Sequence, residues 1–88
     1  MGLDITVANK LFSELIQDEN LNANQITFIN KIIEYLNQNG TLDKKLLSSS
    51  VLVQTYERGI LDLFKGENDR IGKIISIVDR VNENAGIA

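Results

Sequence analysis

Apolar residues recur along the chain at the three- and four-residue steps of an α-helix, most densely in the stretch 21–40, LNANQITFINKIIEYLNQNG. At about 100° per residue, Ile26, Phe28, Ile29, Ile32, Ile33, Tyr35 and Leu36 fill one continuous half of a helical wheel. Thr27, Asn30, Lys31, Glu34, Asn37 and Gln38 fill the rest. A surface helix carries a narrower stripe, so the pattern predicts a core helix packed on two sides. Its ends are also written locally. Asn22 can accept from an orphaned amide of the first turn, and Gln25 can reach back to the cap amide as a capping box. Leu21 and Ile26 are spaced as a hydrophobic staple, and Gly40 suits the left-handed residue that closes a helix. Gln25 falls inside the apolar arc, which its capping role explains.

Residues 1–19 predict a first helix capped by Asp4 or Thr6. Ile5, Ala8, Leu11, Phe12, Leu15 and Ile16 form one arc with Val7 at its margin, opposed by Thr6, Asn9, Lys10, Ser13 and Gln17. The short polar connection Asp18-Glu19-Asn20 predicts an antiparallel hairpin with the core helix. After Gly40, Asp43 can cap a short helix through Leu47, and Ser48-Ser49-Ser50 marks a break. Residues 51–64 read two ways. Val51-Leu52-Val53 suits a strand, but a lone strand has no partner in a helical chain. Val53, Tyr56, Ile60 and Leu63 recur at helical spacing, so helix is preferred, with Gly59 dividing it. Gly66 ends that segment. A last helix, capped by Asn68 or Gly66, carries Ile71, Ile74, Ile75, Ile77, Val78 and Val81 on a narrower arc and covers the core from one side. Residues 82–88 are expected to fray, with Gly86 as a stop. The expected fold is all-α, a small bundle of four to five helices in a single domain over 1–88.

Composition narrows the chemistry. The chain has 88 residues, enough for one modest core and too few for two. It has no cysteine and no histidine, which removes disulfides, thiolate zinc sites, cysteine nucleophiles and the commonest general base. There is no proline, as suits a mostly helical chain. No apolar run approaches the roughly 18 residues of a membrane span, no signal-peptide pattern opens the chain, and a cytoplasmic location is the default expectation. Net charge is −3, from nine Lys and Arg against twelve Asp and Glu with interspersed signs. Lys44-Lys45 is the one adjacent basic pair and Asp43 precedes it, so a solvated face is favoured over a nucleic-acid groove.

No catalytic constellation is found. Glu67 and Asp69 sit at a predicted helix start, where anions favour the dipole, and an acid/base pair is the weaker reading. Asp43, Asp62 and Asp79 have no metal-loop spacing. Gly59, Gly66 and Gly72 do not form a phosphate cradle, and Gly72 beside the apolar stripe reads as a close helix contact. No cofactor-binding or metal residue is assigned. Tyr35, Tyr56 and Phe64 are the aromatic candidates for partner anchors, set against the simpler reading that they complete a small core. Tyr56 with the neighbouring Arg58 lies in the least regular segment, where recognition surfaces are often displayed. The partner-contact candidates are therefore Tyr56, Arg58 and Phe64.

GLD at 2–4, FSELI at 12–16, LNANQITFINKIIEYLNQNGTLD at 21–43, GILDLF at 59–64 and IISIVDRVNENA at 74–85, in this order and spacing, resemble the C-terminal region of the R subunit of type I restriction endonucleases. The resemblance covers essentially the whole chain. Its more specific parts are the core helix followed by Asn39-Gly40 and the later Gly59-x-x-x-Leu63-Phe64. The chain departs from the family where a turn containing proline and phenylalanine is common, since it reads Ser48-Ser49-Ser50-Val51-Leu52 there. The resemblance implies a C-terminal fragment of a much larger subunit, an ATP-dependent site-specific deoxyribonuclease that uses ATP and Mg upstream. None of the family's nuclease carboxylates, nuclease lysine or ATP-binding motifs has a counterpart in these residues. It further implies a non-catalytic role in assembling the motor subunit with the methyltransferase and specificity subunits. A structural brace against the subunit's own motor and an auxiliary duplex-DNA-contacting module are the alternatives, and the acidic balance argues against the second.

Overall fold

Asn22 has extended backbone, its side chain accepts from the Gln25 N–H at 2.9 Å, and the Gln25 side chain accepts from the Asn22 N–H at 3.1 Å. This reciprocal box starts α2 (Ala23–Asn39). Gly40 closes the helix in the left-handed region at φ 78°, its N–H donating to the Leu36 carbonyl at 2.8 Å. The computed structural model describes residues 2–18, 20–48 and 59–86. Its other elements are α1 (Ile5–Asp18), a 3-10 turn (Lys44–Ser48), α3 (Ile60–Leu63) and α4 (Asn68–Asn84). The fold of the described residues is all-α, with no strand among them.

The apolar arc of α2 is the centre of the core. Phe28, Ile29, Ile32 and Leu36 are fully buried, and Ile33 and Tyr35 pack partly buried against the same cluster. Helix α1 contributes Ala8, Phe12 and Leu15. It packs on α2 antiparallel, because Asn9 near its start donates to Asn37 near the end of α2 at 3.2 Å. Asn20 makes the reversal between them in the left-handed region at φ 56°, a conformation in which asparagine is enriched among non-glycine residues. Phe64 sets its ring 6.1 Å from that of Phe28 at 59°, a tilted geometry that aromatic pairs favour. Helix α4 adds Ile74, Ile77, Val78 and Val81 and packs on α1. Burial of each such side chain contributes about 1.5–3 kcal/mol.

Several boundaries differ from the sequence expectation. Helix α1 begins at Ile5, because Asp4 is the residue whose carboxylate accepts from the Val7 N–H, at 2.9 Å. The stretch before it is not helical but extended over the far end of α4. There Leu3 is buried and its N–H donates to the Arg80 carbonyl at 2.9 Å. Gly2 is required for this approach, since a Cβ at that position would sit 2.5 Å from the Asn84 Cβ and 2.6 Å from its Cα. The N-cap of α4 is Glu67, one residue before Asn68, and it makes no side-chain cap bond. Gly66 takes the left-handed turn before it, at φ 83°. The short third segment is a 3-10 turn, with the Asp43 carboxylate accepting from the Lys45 N–H at 3.0 Å. Gly59 does precede a new short helix, while the strand-or-helix question over 51–58 lies outside the described residues.

The fraying expected over 82–88 does not reach 82–84, and 87–88 lie outside the described residues. Helix α4 continues to Asn84, and Asn82 is buried. Its carboxamide nitrogen donates to the Leu42 carbonyl at 2.8 Å and its oxygen accepts from the Leu42 N–H at 3.0 Å. One side chain thus satisfies both main-chain groups of a buried loop residue. Asn82→Leu, nearly isosteric but unable to hydrogen-bond, leaves that pair unmatched and should cost about 2–4 kcal/mol in urea unfolding. Asn30→Ala, on the exposed face of α2, should stay within about 0.5 kcal/mol of the parent. Gly2→Ala should lower stability by about 1–3 kcal/mol through the forced displacement of the segment before α1, read in the same titration.

Candidate functional site

The acidic pair singled out in the sequence, Glu67 and Asp69, is not assembled as an acid/base couple. Glu67 accepts from the Gln25 carboxamide at 2.7 Å and pairs with the Arg70 guanidinium. Asp69 is exposed in the first turn of α4, where its charge favours the helix dipole. The same Gln25 nitrogen donates to the Leu63 carbonyl at 2.8 Å. Gln25 is therefore buried for two reasons, of which the sequence showed one. Its oxygen caps α2 and its nitrogen ties that helix start to the end of α3 and the start of α4.

The remaining carboxylates singled out from the sequence are structural or exposed. Asp43 caps the 3-10 turn, Asp79 pairs with Lys44 at 3.1 Å across to α4, and Asp62 is exposed on α3. Among the described residues no group of three or more Asp, Glu, His or Cys could hold a metal ion. Among the same residues no helix is long and apolar enough to cross a membrane.

Of the three partner-contact candidates, Phe64 is fully buried against Phe28. Its ring is spent on the core, the simpler of the two readings weighed for it. Tyr56 and Arg58 lie outside the described residues. Tyr35 is half-buried on α2.

An open groove lies between α1 and α4. The two helices run antiparallel: Leu3 ahead of α1 bonds Arg80 late in α4, and Asp18 at the end of α1 shares the groove with Asn68 at the start of α4. Leu11, Leu15 and Ile77 form an apolar floor, with Glu14, Asp18, Asp69 and Lys73 on the rim. Gly72 and Ser76 lie one turn apart on α4 in this groove. Gly72 was expected to make a close helix contact. It does not among the described residues, for it is exposed and a Cβ there would meet none of their atoms within 4 Å. Periodicity places Gly72 beside the apolar stripe but says nothing of whether a neighbour reaches it.

The sequence model of a family described as EcoEI R protein C-terminal matches residues 4–83. No curated protein and no solved structure gives a match to the chain. The matched span takes in both buried carboxamides, Gln25 and Asn82. Gln25→Ala should cost about 2–3 kcal/mol, because the Leu63 carbonyl loses its partner as α2 loses half its capping box. In a double-mutant cycle with Glu67→Gln, denaturant unfolding should show a coupling of at least about 0.5 kcal/mol. Strict additivity would mean that the Gln25–Glu67 contact carries no energy.

Proposed function

The chain belongs to the EcoEI R protein C-terminal family, the C-terminal domain of the type I restriction enzyme R subunit, and on that footing we propose that it is a non-catalytic assembly domain. In this reading it helps to hold the ATP-dependent motor and nuclease subunit on the methyltransferase–specificity core. It takes no cofactor itself, and the ATP and Mg of the whole subunit act elsewhere. The place of action is the cytoplasm.

The family match over 4–83 carries the proposal. The disposition of polar groups favours it over chemistry in this domain. The two buried polar side chains among the described residues, Gln25 and Asn82, spend their hydrogen bonds on internal partners. Buried groups that served a reaction would be aimed into a cavity instead. The α1–α4 groove is the surface we assign to the partner, since its floor is apolar and its rim charged, the arrangement of a protein contact.

Calorimetric titration of the chain into the purified methyltransferase–specificity core, without DNA, should show saturable binding. Ser76→Arg, at an exposed position in the groove, should weaken that binding at least about tenfold, or 1.4 kcal/mol, with the thermal melt unchanged. Tyr56→Ala tests the other candidate surface in the same assay. No binding by a chain whose far-ultraviolet spectrum is helical would move the role to a brace for the subunit's own motor. A salt-dependent affinity for duplex DNA would instead support the DNA-contacting alternative.

A further inference from the structure

Asn39-Gly40, at the end of α2, carries a chemistry that neither the fold nor the family reading uses. An asparagine followed by glycine can cyclise, because glycine has no side chain to hinder its own nitrogen. The Gly40 nitrogen, on losing its proton to base, attacks Cγ of Asn39 and expels ammonia to leave a five-membered imide. Water then opens either imide carbonyl. The products are aspartate or isoaspartate at 39, so the net change is one water consumed and one ammonia released.

In the folded chain both reacting groups are engaged. The Gly40 N–H donates to the Leu36 carbonyl at 2.8 Å, which opposes loss of its proton. The Asn39 carboxamide nitrogen donates to the Tyr35 carbonyl at 3.0 Å. That bond draws the electrophile back over the preceding turn, toward the helix N-terminus and away from Gly40. Asn39 is nevertheless exposed, so water and base reach the site as soon as the last turn of α2 opens. We propose that Asn39-Gly40 is a latent deamidation site held closed by the C-terminal cap of α2.

The product would not restore the cap. A new carboxylate at Asn39 lies beside the last carbonyls of α2, where the helix dipole disfavours negative charge. Isoaspartate also lengthens the backbone by one carbon immediately before Gly40, whose left-handed conformation and bond to Leu36 depend on local geometry. Two residues later the chain enters the Asn82 clamp at Leu42. Opening of the α2 terminus is thereby converted into a permanent chemical mark.

The test compares the whole chain, folded in buffer and unfolded in urea, at one mildly alkaline pH and temperature. Deamidation at Asn39 is followed by the mass gain of amide-to-acid exchange and located by peptide mapping. The expected rate is at least about tenfold lower in the folded chain, in proportion to the opening equilibrium. A folded rate within a few-fold of the unfolded one would overturn the proposal. Amide hydrogen exchange gives a second reading: the Gly40 N–H should be protected in the folded chain, and exchange at the rate of an open peptide would equally sink it.

Discussion

The Asn82 carboxamide is the contact on which the closure of the bundle depends. A helical chain of 88 residues has little surface to bury, and its loops expose main-chain groups that no helix can satisfy. Leu42 is one such residue, 1% exposed at the entry to the 3-10 turn. Burying it without partners would cost more than its side chain contributes. Asn82 supplies both partners from a helix 40 residues further along, so the loop after α2 can be sealed beneath α4.

Gln25 does the same work at the other end of α2. It caps its own helix, holds the Leu63 carbonyl and reaches Glu67, which in turn pairs with Arg70. Between these two carboxamides the Phe28, Ile29, Ile32 and Leu36 face belongs to one apolar cluster with Phe12, Phe64 and Val78. The segment before α1 completes the enclosure, since Leu3 bonds Arg80 and Gly2 lies against Asn84. The GLD run that looked like a mere signature has a use at each residue: close approach, burial and cap.

This division of labour bears on function. With its buried polar groups committed internally, the domain offers its surroundings a shape and a charge pattern, the means by which one subunit recognises another. The α1–α4 groove keeps an apolar floor open beside the exposed Gly72 and Ser76. The assembly role proposed for the chain calls for such a surface with a rigid frame behind it. Phe64 belongs to the frame, because its ring fills the space over Phe28.

What the sequence determined by itself was whatever depends on residues within one or two turns of each other. The apolar arc of α2, its Asn22–Gln25 box and its Gly40 closure are of that kind, and Asp4 was one of the two caps the sequence offered for α1. Their partners lie three or four residues away, and helical geometry fixes those distances in advance. The family signature was legible for a related reason, as it is a string of such local patterns. What only the tertiary structure decided was the use of side chains whose partners are remote in sequence. Asn82 reads as a fraying polar tail until Leu42 is brought to it, and Gln25 reads as a cap until Leu63 and Glu67 arrive. Gly2 reads only as part of a family signature until Asn84 lies against it, and Gly72 reads as a contact until no described residue is found beside it. A polar side chain has several ways to be satisfied, and periodicity cannot choose among them. The packing of the helices makes that choice.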